Sequence, residues 1–156
     1  MARFLPGGAE NPDFVLNQPR YRAAQILVCG EFFGTGSSRE MAVWALAGMG
    51  IRCLIAPSFG QIFHGNCFQN GLLPVTLPQA TVDQLAREAA APGAKPITVD
   101  LAQQKINGAI PFDIAPRHRK MLLEGVDEIG LTMALEPEIA AFEAADRARR
   151  PWIYPP

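Results

Sequence analysis

Short, unbroken apolar runs alternate along this chain with stretches of helical spacing, and that alternation predicts its elements. Ile26-Leu27-Val28-Cys29 ends at Gly30 and suits a strand buried on both faces. Over residues 38–49, Ala42, Ala45, Leu46 and Met49 recur at i, i+3, i+4 and i+7, which marks one face of a helix that Gly48 and Gly50 would end. Residues 52–56 form a second apolar run, stopped by Pro57. Strand, helix and strand within about thirty residues make a βαβ unit, with parallel strands and a right-handed crossover.

Phe59, Ile62, Phe63 and Cys67 outline a second helical face, and residues 72–77 return as a strand before Pro78. Val82, Leu85, Ala86 and Ala89 outline a third. Residues 97–101 alternate apolar and polar, and Asn107-Gly108 is the preferred tight-turn dipeptide leading into residues 109–112, so the later half adds antiparallel pairing. Two terminal helices are expected, the second opened by Pro137 with Leu135, Ile139 and Phe142 on one face. Before residue 25, Pro6, Gly7, Gly8, Pro12 and Pro19 predict a lead-in without packed elements. The reading is mixed α/β, with residues 1–24 as an extended lead-in and 25–156 as one domain.

Composition narrows the partners. With 156 residues, 49% apolar, 19% charged and a formal net charge of -1, the chain fits one globular domain and offers no electrostatic reason to bind nucleic acid or an anionic membrane. The glycines and prolines near the start interrupt any secretory leader, and Gly48 and Gly50 cut the longest apolar run far short of the roughly 18 residues of a membrane span. Cys29, Cys53 and Cys67 are odd in number and widely spaced, which predicts reduced thiols in a cytoplasmic protein and no metal site. His64 and His118 read as structural or surface residues, Trp44 as a residue of the core or of a contact between subunits, and Asn66 and Asn70 as turn formers. Arg147, Arg149 and Arg150 read as a solvated helix end.

One segment carries chemistry. Gly34-Thr35-Gly36-Ser37-Ser38-Arg39-Glu40 lies between the first strand and the first long helix, where α/β folds place ligands and where a helix entrance offers free N–H groups. Ser37-x-x-Glu40 fits a capping box. Capping does not account for the two glycines, or for a guanidinium in a first turn whose dipole it opposes. Arg39 could instead grip a carboxylate through two parallel bonds. A plain capped helix and a small-anion site both remain open. The spacing fails both the dinucleotide fingerprint and the P-loop, so carboxylate is the stronger anion reading.

Phe33-Gly34-Thr35-Gly36-Ser37-Ser38-Arg39-Glu40 resembles the active-site signature of the aconitase swivelling domain. Asn11-Pro12-Asp13-Phe14 through Arg20-Tyr21, Ile55-Ala56-Pro57-Ser58-Phe59 through Phe63, Asn66 through Pro74, and Gly125 through Thr132 are similar to the isopropylmalate isomerase small-subunit family. The resemblance implies a swivelling-domain-like mixed β-sheet or barrel with flanking helices. The Asp-Thr-Asp-like strand with which the family normally begins, and its arginine-bearing loop, are not found before Asn11, so one strand fewer is expected; Met41 stands where the family usually has histidine.

The resemblance further implies a hydro-lyase subunit of leucine biosynthesis, inactive alone, which interconverts 2-isopropylmalate and 3-isopropylmalate. It would have no cofactor of its own and would pair with a large subunit holding a 4Fe-4S cluster. Ser37 inherits the role of catalytic base, Ser38 and Arg39 the substrate-carboxylate contacts, and Gly34 and Gly36 the shaping of the pocket. The alternatives are a shortened, non-catalytic relative that binds small carboxylates, or a related subunit acting on methylmalate or homoaconitate.

Overall fold

The computed structural model describes residues 3–36 and 40–154. Its first half is the expected alternation: β1 (Ile26–Val28), α1 (Met41–Gly48), β2 (Cys53–Ala56), α2 (Gln61–Gln69), β3 (Leu73–Thr76) and α3 (Gln79–Ala90). The three strands are parallel in the order β1-β2-β3, with Ile26 opposite Cys53 and Cys53 opposite Leu73. Pro74 sits inside β3 because the N–H groups of Leu73 and Leu77, on the same side of the ladder, are ones that reach β2; an N–H at Pro74 would point to the open side.

All four residues of β2 are buried, and its side chains alternate between two cores. Cys53 and Ile55 join Leu73, Val75, Val82 and Leu85 on the α3 side. Leu54 and Ala56 join Val43, Phe63, Cys67 and Leu72 on the side of α1 and α2. Two crossovers of one hand, stepping the same way across a sheet, leave their helices on the same face, as α1 and α2 are. The second sheet is antiparallel: β4 (Val99–Asp100), β5 (Lys105–Ile106) and β6 (Ile110–Pro111). Asn107 and Gly108 turn between the last two with φ of 51° and 71°, and Asn107 both donates to the Thr98 carbonyl at 2.9 Å and accepts from the Thr98 N–H at 3.0 Å. This turn points Ile106 into the α3-side core beside Phe112.

Several expectations fail for identifiable reasons. β1 is only half-buried along its length, because Ile26 and Val28 pack at the margin of one core and Leu27 at the margin of the other. In α1 the buried residue is Val43, flanked by Ala42, Leu46 and Ala47, while Ala45 is exposed. Every α1 residue is apolar or glycine, so spacing alone could not choose the stripe. Ile62 is likewise on the outer side of α2, with Phe68 buried in its place, and Asn66 lies within that helix rather than in a turn. A short 3-10 helix, Val15–Asn17, interrupts the lead-in, where Asn17 Nδ2 donates to the carbonyls of Arg3 and Asn11.

The C-terminal region holds three helices where two were expected: α4 (Pro116–Glu124), α5 (Glu128–Met133) and α6 (Glu136–Arg149). Gly125, at φ 66°, ends α4, and Asp127 restarts the chain by accepting from the Gly130 N–H at 2.7 Å. The face of Leu135, Ile139 and Phe142 is exposed. The arginine cluster is not simply solvated. Arg150 donates twice to Asp146 at 2.7 Å, Arg149 donates once at 3.1 Å and the Tyr154 hydroxyl at 2.9 Å, while Arg147 lies over the Tyr154 ring. Asp146, 3% exposed, thereby ties the 3-10 turn Pro151–Ile153 to α6. These bonds, Arg150's foremost, hold its carboxyl below the usual carboxylate range against the opposing pull of burial. No helix among the described residues is long and apolar enough to cross a membrane.

Candidate functional site

The chain leaves the carboxyl ends of β1 and β2 in two loops that run side by side. The Phe33 N–H donates to the Ser58 carbonyl at 3.1 Å, the Gly60 N–H to the Phe33 carbonyl at 2.9 Å, and Phe33 and Phe59 form a parallel bridge. The Ser58 hydroxyl accepts from the Phe32 N–H at 2.9 Å. From Val28, opposite Ile55, to Phe33, opposite Phe59, the first loop takes five steps where its neighbour takes four. One residue must bulge, and Phe32 adopts φ 52°, a strained conformation for an aromatic, with its side chain 65% exposed. The start of the signature, Phe33-Gly34, therefore hangs from the sheet by a bulged, hydrogen-bonded loop.

Gly34 has φ 81°, and a Cβ there would stand 2.2 Å from Phe63 Cγ. The glycine is thus required by the packing of the turn against α2, whatever ligand it meets. Phe63 in turn meets Phe33 edge-on, with ring centroids 5.6 Å apart. At Gly36 a Cβ would meet nothing within 4 Å, so this position stays open. Ser37, Ser38 and Arg39, the candidate base and carboxylate contacts, lie outside the described residues.

Glu40 stands immediately before α1. Its carbonyl accepts from the Val43 and Trp44 N–H groups at 2.9 and 3.1 Å, and its carboxylate accepts from Asn70 Nδ2 at 2.7 Å. Asn70, expected only as a turn former, is the C-cap of α2; Nδ2 also donates to the Asn66 carbonyl at 2.8 Å, and Oδ1 accepts from the Trp44 indole at 2.8 Å. Trp44 is 55% exposed and lies outside both cores. Ser58, Phe63 and Asn70 stand some 20 to 35 residues downstream of the turn they support, and no local spacing announced them.

Burial pushes the thiols of Cys29, Cys53 and Cys67 up to about 12, so they stay protonated and poor as ligands at neutral pH. They are also divided between two cores. His64 and His118 flank Phe68, His118 stacked at 3.9 Å between centroids; burial, helped by the nearby His118, lowers the His64 pKa. Among the described residues no group of three or more His, Cys, Asp or Glu is placed to hold a metal ion.

A parallel sheet whose first strand leads into the turn of Gly34 and Gly36 defines the class of this protein, and the comparisons agree: the aconitase C-terminal domain family matches residues 6–80. The family for the C-terminal domain of the 3-isopropylmalate dehydratase small subunit matches residues 128–155. The chain is 54% identical over 159 residues to a 3-isopropylmalate dehydratase small subunit of Cupriavidus necator, covering 97% of this chain and 76% of the relative. It is 54% identical over 155 residues to that of Dinoroseobacter shibae, covering 97% and 77%. A solved 3-isopropylmalate dehydratase structure from Methanocaldococcus jannaschii superposes with a TM-score of 0.55 at 27% identity, covering 74% of this chain and 68% of that one. The chain belongs to the family of 3-isopropylmalate dehydratase small subunits.

Proposed function

We propose that this chain is the small subunit of an isopropylmalate isomerase of leucine biosynthesis, acting in the cytoplasm with a large subunit to interconvert 2-isopropylmalate and 3-isopropylmalate. The observation that carries the reading is identity above 50% over nearly the whole chain to proteins of that name, with the signature segment inside the aconitase-type match. The exposed apolar face of Leu135, Ile139 and Phe142, in the segment matched by the small-subunit-specific family, favours a chain that works in an assembly.

Within this reading, Ser37 takes the carbon-bound proton of the substrate, while the neighbouring hydroxyl leaves as water and returns on the adjacent carbon. Serine is a weak base at its ordinary pKa, and the guanidinium of Arg39 favours the charged oxygen electrostatically. Arg39 and Ser38 hold a substrate carboxylate, and the open position at Gly36 leaves room beside them. The 4Fe-4S cluster would supply Lewis-acid chemistry from the large subunit. Three protonated thiols split between two cores do not fit a cluster site on this chain, and no step here runs through one.

The test is reconstitution with a cluster-loaded large subunit. Turnover of 2-isopropylmalate by the pair and by neither part alone is expected, abolished by Ser37→Ala and weakened through a raised KM by Arg39→Lys. Faster turnover of methylmalate or homoaconitate would reassign the substrate, and binding of malate-type ligands without turnover would overturn the enzymatic reading.

A further inference from the structure

From Glu128 onward the chain buries almost nothing of its own. α5 has no buried residue and α6 has only Asp146, although both helices carry large apolar side chains. Leu135, Ile139 and Phe142 follow one another at i, i+4 and i+7 in a single stripe, and are 53, 40 and 61% exposed. Asp146 continues that stripe four residues beyond Phe142, and its bonds to Arg150 and Tyr154 hold the turn that carries Trp152, itself 77% exposed. With Ile129 and Met133 of α5, 72 and 62% exposed, these side chains offer on the order of 700 Å² to solvent, at about 200 Å² for each when fully exposed. That approaches the roughly 800 Å² that one partner contributes to a stable complex. Helices of 6 and 14 residues are marginal in water without a packed face, so this one needs a cover.

The charges beside the stripe say what covers it. Glu136 and Glu143 lie along one flank and Glu138 along the other, all three exposed. A second copy, meeting the stripe about a two-fold axis near Ile139, would pack Leu135 against Phe142 but would crowd the three carboxylates of each copy around the contact. An axis shifted toward the arginines would set Leu135 and Ile139 against the Asp146 cluster, where Arg149 and Arg150 are already engaged. Self-association is therefore the poorer fit, and a surface of opposite charge the better one. The stripe also lies within residues 128–155, the part matched by the family for the small subunit's C-terminal domain. Resting on the reading of this chain as that small subunit, we infer that the stripe of α6 is the docking surface for the large subunit, seated in an apolar groove rimmed by basic side chains. Recognition is that of an amphipathic helix laid in a groove, with Leu135, Ile139 and Phe142 as anchors and the glutamates at the rim.

The experiment measures binding of the full chain to the cluster-loaded large subunit by calorimetry, with sedimentation of the chain alone beside it. Ile139→Asp combined with Phe142→Asp is expected to weaken the complex at least about a hundredfold. Glu143→Lys should weaken it about fivefold, with the gap to wild type closing at high salt. If circular dichroism shows that the two aspartates unfold α6, Glu143→Lys carries the test. Wild-type affinity in the aspartate variant with α6 intact, unchanged or tighter binding by Glu143→Lys, or a dimer of the chain alone that the aspartates dissolve, overturns the inference. A wild-type chain that neither binds the large subunit nor forms an active complex with it would instead overturn the functional reading itself.

Discussion

The parallel core and the C-terminal helices carry the same kind of apolar spacing, yet bury it to opposite degrees. Phe63 and Cys67 on α2 and Val82 and Leu85 on α3 are at most 3% exposed against the sheet, whereas Leu135, Ile139 and Phe142, equally regular, are 40 to 61% exposed. Spacing says that a helix has an apolar side and leaves open whether the same chain covers it. The core is held by burial, and the tail by the Asp146 cluster together with caps such as Asp127.

Truncation should separate the two regions most sharply. Leu54→Ala is expected to cost about 2–5 kcal/mol in denaturant unfolding of the isolated chain, and Phe142→Ala no more than about 0.5 kcal/mol. Equal losses would mean that the tail is packed more tightly than described. Gly34→Ala should cost about 2 kcal/mol, since the added Cβ meets the base of the Phe63 ring and the backbone has positive φ; a neutral result by the same measurement would show that the turn is not locked onto α2.

The tail should respond to acid locally. Asp146's pKa is lower folded than unfolded, so the contribution of its bonds is complete above the ordinary carboxylate range and is lost as pH falls through that range toward the folded value. In a Trp44→Phe background, Trp152 fluorescence should report this step before the core unfolds, and Asp146→Asn should remove it. The smallest effect falls on the bulged loop: Phe32→Asn should gain less than about 1 kcal/mol in thermal or denaturant unfolding, because asparagine tolerates positive φ and the exposed ring packs little. A loss would mean that the ring has a partner.

Much of the fold was legible because glycine and proline punctuate it. Gly30, Pro57 and Pro78 bracket the strands, and Asn107-Gly108 marks the one hairpin that was foreseen. The choice of buried stripe in α1 was not, since eight residues without a charged side chain fit any rotation. The break between α4 and α5 was visible only as Gly125 followed by Asp127, a pair that acquires meaning once the cap bonds are seen. At the site, the turn announced itself through its glycines, serines and arginine. Its supports did not, because Phe63 is apolar, Asn70 resembles any loop residue, and their bonds to the turn and to Glu40 are tertiary.

The five-against-four mismatch between the paired loops bears on how this turn can be transplanted. The seating of Phe33 depends on an odd residue in one loop and on Ser58 and Gly60 in the other, so the start of the signature is half of a mating pair. Grafted alone into another βαβ scaffold it would arrive without its counterpart. Exchanges between relatives, whether by design or by recombination, should succeed when the crossover points enclose both loops and fail when they fall between them.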